Sequence, residues 1–184
     1  MDSFPLIGEH LALDLLNTRT AEGDLIAGPS GLAAWLEAQG GRLEAVGAGP
    51  REVAAVHAVR EAAGPALAAV RRGERPPAEA LRVLNGALAA APAHRELAWA
   101  EGGGLEAVAR RDAGPAHRLA AELAEAVADL LTGTRVAEVR ECGAEGCVLL
   151  FLPAHPRRRW CVASVCGNRA RVARYYARHK DGTA

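Results

Sequence analysis

All four cysteines of the 184-residue chain fall within a short span, as two C-x4-C pairs, Cys142/Cys147 and Cys161/Cys166, separated by thirteen residues. Two close thiolate pairs, each on a tight turn, can supply the four donors of one tetrahedral zinc. Gly143 and Gly146, inside the first pair, suit the sharp backbone turn of a metal knuckle. An even count of cysteines also permits two disulfides. The chain begins without a signal-peptide pattern, and cytosolic thiols stay reduced, which favours metal over disulfide. Four thiolates close the coordination sphere, so such a zinc is structural and lacks the open position that catalysis needs.

No other constellation carries chemistry. The six histidines (His10, His57, His94, His117, His155 and His179) form no H-E-x-x-H and no metal-spaced pair, and no serine sits in G-x-S-x-G. His155 lies between the cysteine pairs, where a loop residue is expected. The three glycines at 102–104 lack the lysine and spacing of a phosphate loop. The chain is therefore not expected to be an enzyme.

Charge gives the second signal. The chain is neutral overall, yet residues 1–134 carry 12 basic and 18 acidic side chains, and residues 135–180 carry 10 basic and 3 acidic ones. From 148 to 180 there are eight Arg or Lys and no acid. Coding bias accounts for Arg over Lys, since Lys180 is the only lysine, but not for the missing acids. Such asymmetry suits a module that meets a polyanion. Arg157, Arg158 and Arg159 form one basic cluster. A helix from Cys166 onwards carries Arg171, Arg174 and Arg178 at i, i+3, i+7, with Arg169 at its entry and Lys180 at its end. On this spacing Val172, Tyr175, Tyr176 and His179 pack inward. A Cys-Gly turn leading into a helix fits a treble-clef-like site. With Trp160, Tyr175 and Tyr176 alongside, the basic face suits nucleic acid.

The remaining elements are helical. No apolar run approaches the roughly 20 residues of a membrane span. Ser30 is a suitable N-cap for a helix that Gly40-Gly41 stops. Pro50 opens a long helix to about Arg72, which Gly64-Pro65 should kink or break. Pro77 opens a third, with Leu81, Leu84 and Leu88 buried, and Pro115 a fourth, with Leu119, Leu123, Val127 and Leu130 on its core face. Between these two, residues 95–100 and 105–109 can pair as a β-hairpin.

Polar residues embedded in the apolar N-terminal stretch have two readings. Asp14, Asn17 and Thr18 either satisfy backbone groups at a helix end or line a small-molecule pocket. Trp35 is core or a ligand platform. Arg60 falls on the apolar stripe of the long helix, unless a slight rotation favours Val59. A guanidinium there needs a partner, for which Asp14 is the candidate, or else snorkels to the edge.

The pattern Cys142, Cys147, Phe151, Arg158-Arg159-Trp160-Cys161, Cys166-Gly167-Asn168-Arg169 resembles the CGNR zinc finger. The stretches LALDLLNT (11–18) and GLAAWLEAQG (31–40) are similar to the opening motifs of the ABATE domain that precedes this finger in bacterial stress-induced transcription regulators. Pro153 and His155 stand where the family has Asp and Ser, and Val162-Ala163 where it has Ser-Met. The resemblance implies a mainly α (α+β) chain with two parts: an ABATE-like helical domain with a small β-hairpin, residues 1–134, and a treble-clef-like four-cysteine zinc finger ending in a basic helix, residues 135–184. It implies one structural Zn2+, held by Cys142, Cys147, Cys161 and Cys166.

The function expected is a cytoplasmic, zinc-dependent DNA-binding transcription regulator, whose N-terminal domain senses a small-molecule effector or forms a homodimer. Double-stranded DNA as the partner follows from the family, whereas the residues alone allow RNA equally. The competing expectation is a metabolite-binding or interaction protein, with a pocket around Asp14, Asn17, Thr18, Trp35 and Arg60 and a finger that is structural or contacts protein.

Overall fold

The computed structural model describes residues 4–44 and 46–180, without the side chains of Ala177 and Lys180. Its centre is the helix α3, Pro50–Arg71, which packs against α5, Pro115–Thr132, and α4, Ala78–Ala90. The short α1, Leu11–Leu16, and α2, Pro29–Ala38, close the remaining sides. Apolar residues at spacings of three and four make these helices stick to one another. On α3 both Val59 and Arg60 are buried, along with Val53, Val56, Ala63 and Leu67. The buried stripe is thus wider than spacing suggested, because Ala62, Ala66 and Ala69 let neighbours approach closely. By length and composition α3 is long and apolar enough to cross a membrane, although Arg60 and Glu61 interrupt its apolar run. Half of its apolar window is buried inside the protein, as in a core helix.

Two local expectations are corrected. The helix α2 starts on Pro29 with Gly28 as cap, so Ser30 is not the N-cap. Gly31 sits in its first turn because a Cβ there would lie 2.3 Å from the carbonyl oxygen of Leu25. Further on, of the kink or break expected at Gly64-Pro65 the break is absent, and α3 runs through as one helix. Proline disfavours the helical conformation of its predecessor partly through that residue's Cβ, and glycine has none.

Three two-stranded antiparallel sheets complete the described residues. Strands β1, Arg19–Thr20, and β2, Gly23–Asp24, form a turn over α3. The hairpin of β3, His94–Trp99, and β4, Leu105–Arg110, pairs His94 with Arg110 and Trp99 with Leu105. Strands β5, Arg140–Glu141, and β6, Leu150–Phe151, build the first metal knuckle. The basic helix α6, Asn168–Lys180, follows a π-helical turn over Ala163–Gly167.

Candidate metal centre and nucleic-acid interface

The β5–β6 knuckle carries Cys142 and Cys147. Its turn depends on Gly146, whose φ of +70° suits a residue without a Cβ. Gly143 serves differently: its N–H donates to the carbonyl of Arg159 at 2.9 Å, and a Cβ there would lie 3.3 Å from the Trp160 ring. At the other end of the indole, a Cβ on Gly167 would lie 3.0 Å from Trp160 Cδ1. Trp160 is thus held between the glycine after the first cysteine and the glycine after the last. It packs on a small cluster of Cys142, Ala144, Leu149, Phe151, Cys161 and Cys166.

These contacts bring the four Sγ atoms within 4.8 Å of one another, and all four cysteines are free. Cys147 and Cys161 are 3.8 Å apart, and Cys161 and Cys166 3.5 Å. Those separations are far beyond an S–S bond of about 2.05 Å. They approach the edge of about 3.8 Å of a tetrahedron with Zn–S near 2.3 Å. The cluster therefore fits one structural zinc ion and not a pair of disulfides. Burial pushes the thiols of Cys161 and Cys166 up. Burial also pushes Cys142 up, but hydrogen bonds from the backbone N–H groups of Cys161 and Ala144 outweigh it, and its thiol sits below the usual value. Four ionised sulfurs in so small a volume require a cation among them. The Arg169 guanidinium, 3.7 Å from Cys166 Sγ, adds positive charge at the edge of the cluster.

From this centre α6 projects with its packing supplied by the preceding turn. The expectation that Val172, Tyr175, Tyr176 and His179 pack inward is overturned: all four are exposed, Tyr176 by 67%. The physical reason is that the small cluster lies behind the π-helical turn and presents no apolar surface to the helix. The rings pack on each other instead. Tyr175 stacks on His179 with centroids 4.0 Å apart and meets Tyr176 edge-on.

The expected cations divide into two groups. Arg157, Arg159, Arg169, Arg171, Arg174 and Arg178 are exposed, and none pairs with an acid among the described residues. Arg159 lies over the Trp160 ring, and Arg171 donates to Asn168 Oδ1 at 2.5 Å. Arg158 differs from these in being half-buried and paired within the protein. It donates to Glu9 Oε1 at 2.7 Å and to the carbonyl of Cys161 at 2.6 Å, and sits over the Phe151 ring. The Lys180 side chain lies outside the described residues.

The five nominated pocket residues are buried but serve separate structural networks. Asp14 accepts from the backbone N–H groups of Gly8 and Glu9 and from Arg42, at 2.5 Å. Arg60 donates to both carboxylate oxygens of Asp24, at 2.7 and 2.5 Å, and to Thr18 Oγ1. The expected Asp14–Arg60 pair is therefore wrong, because the β1–β2 turn carries Asp24 over the guanidinium. Trp35 is a fully buried core residue. Asn17 reaches across to the finger, where it bonds both backbone groups of Leu150. Glu9, which sequence reasoning missed, bonds the N–H of Leu152 as well as Arg158. No local pattern marks it, since its partners lie more than 140 residues further on.

The comparisons agree with this architecture. The CGNR zinc finger model matches residues 138–179. No curated protein matches the chain. A model described as "Putative stress-induced transcription regulator", ABATE, matches residues 9–134, more than half of the chain, which therefore belongs to the ABATE family and ends in a CGNR zinc finger.

Proposed function

We propose that this protein is a zinc-dependent, DNA-binding transcription regulator of the cytoplasm, with α6 and the loop at Arg157 and Arg159 as its nucleic-acid surface. The carrying observation is that six exposed arginines around the zinc centre have no acidic partner among the described residues. Arginine matches phosphate and the acceptor edge of guanine with two parallel N–H donors. The exposed Tyr175 and Tyr176 add flat surfaces beside them. Zinc supplies the rigidity that so small an apolar cluster cannot, and the loop and helix therefore keep a fixed mutual angle. Selection from random duplex DNA by the zinc-loaded protein tests the reading. An enriched motif supports it, and binding of single-stranded RNA in preference to duplex DNA overturns it.

A second site supports effector control. A cleft of about 570 Å3 opens between α1, the 42–44 segment, the end of β4 and α5, lined by Arg42, Arg111, Arg118, Glu122 and Glu125 among others. The Nε of Arg118 is buried there without a partner among the described residues. This cleft, rather than the surroundings of Asn17 and Arg60, is where we place a small charged effector. Thermal-shift screening with Arg118→Ala as control tests it: a ligand that stabilises the parent and the variant equally does not bind here.

A further inference from the structure

The β3–β4 hairpin is built inside out for a solitary chain. Alternation puts Leu97, Trp99, Leu105, Ala107 and Ala109 on one face, with Arg95 the only charge there. The opposite face carries His94, Glu96, Glu106 and Arg110, with an ion pair between Glu96 and Arg110. A sheet that folds on its own body turns the apolar face inward. Here the reverse holds. Leu97, Trp99 and Leu105 are 71, 74 and 71% exposed and join neither apolar cluster, whereas the half-buried positions are Ala98 and Val108, on the charged face. The strands find their packing contacts in each other. A two-stranded hairpin with no further support is marginal in water.

We propose that this outward apolar face is a self-association surface, on which the same face of a second copy docks about a twofold axis. The face suits itself. Trp99 lies toward the hairpin tip and the small Ala107 and Ala109 toward its base, so an antiparallel arrangement sets the ring of each copy against the alanines of the other. Arg95, paired with Ala109 and donating to the Ala107 carbonyl, lies at that same base, where its guanidinium meets the ring of the second copy and not a like charge. Three large side chains and the alanines between them offer on the order of 500 Å2 per copy, so that two copies reach roughly the 1,000 Å2 of a specific interface. A twofold dimer also uses one patch twice, which closes the assembly.

Sedimentation of the full, zinc-loaded chain over a wide range of concentration tests this. The expected result is a monomer–dimer equilibrium that Trp99→Glu and Leu97→Glu each shift to monomer, with unchanged zinc content and helical circular dichroism. A monomer at every concentration, or a dimer that both folded variants retain, overturns it. If either variant fails to fold, hydrogen exchange of the parent decides. Protection of amides in residues 94–110 that rises with protein concentration supports the interface, and protection independent of concentration refutes it. This outcome stands apart from the DNA-binding reading, which a monomer could also satisfy.

Discussion

The side-chain amide of Asn17 docks on the backbone of Leu150 as a strand neighbour would: Nδ2 donates to the Leu150 carbonyl at 2.9 Å, and Oδ1 accepts from its N–H at 2.8 Å. A residue at the end of α1 thereby supplies the missing edge of the β5–β6 knuckle. Asn17→Asp keeps the acceptor and removes the donor, leaving the half-buried Leu150 carbonyl facing a carboxylate. The expected cost is about 1–3 kcal/mol. Hydrogen exchange should show faster opening of the Leu150 amide, with zinc still bound at one equivalent. An unchanged exchange rate would show that the amide is dispensable to the joint.

Loss of one thiolate opens the metal site. Zinc in small modules of this kind contributes on the order of 10–16 kcal/mol of folding free energy. Cys161→Ser should therefore release zinc and unfold residues beyond about 140, while the helices around α3 keep their structure. Metal analysis together with two-dimensional NMR of the amides reads both effects. Retention of a full equivalent of zinc at ordinary affinity would contradict a four-thiolate centre.

Arg171 and Arg174 stand on the free face of α6. If the pair meets phosphates, the double alanine variant should lower the slope of log K against log salt by roughly 2, at unchanged zinc content. Arg158→Ala should do the opposite: it loses its bonds to Glu9 and Cys161 and lowers the melting temperature, with the slope unaltered. Equal effects of the two variants on the salt slope would undo the division between outer and inner arginines.

Arg60 and Asp24 form the most deeply placed ion pair, with the guanidinium side chain only 3% exposed. Asp24→Ala leaves that charge only Thr18 and the exposed Glu61, 3.4 Å away, and should cost about 3 kcal/mol. Urea unfolding measures it, and a loss below about 1 kcal/mol, on the order of a surface pair, would be inconsistent with this burial.

Two aspartates give acid denaturation opposite signs. The hydrogen bonds from Arg60 hold the carboxyl of Asp24 below its ordinary value. Its contribution is complete above that value and is lost as pH falls through the depressed one. Burial raises Asp14 despite its bonds to Gly8 and Arg42. Its contribution is present below the ordinary value and lost as pH rises through the raised one. Asp24→Asn should therefore flatten the loss of stability on the acid side, and Asp14→Asn should steepen it. Unfolding curves across the carboxylate range test this, and identical slopes in the two variants would refute it.

How far the sequence carried the structure depends on distance along the chain. The zinc ligands were legible because their spacing is local and zinc demands few donor types. Helices showed through their periodicity, and the β3–β4 hairpin through its glycine turn. What failed was pairing over long separations. Arg60 announced a buried charge but not that Asp24, 36 residues back, would meet it. Asn17 announced a buried amide but not its partner 133 residues ahead. The periodicity of α6 misled for another reason. A period predicts an inner face only where something lies beneath it, and the metal had replaced that something.

The joint between domain and finger grips main chain: at Leu150 and Leu152 the bonds from Asn17 and Glu9 end on peptide groups that any residue but proline there would present. The outer residues of the finger are thereby released from the task of holding it in place. Substitutions among the exposed arginines can accumulate without disturbing the seating of the finger. The domain and the finger are coupled mechanically, yet their exposed residues are free to diverge.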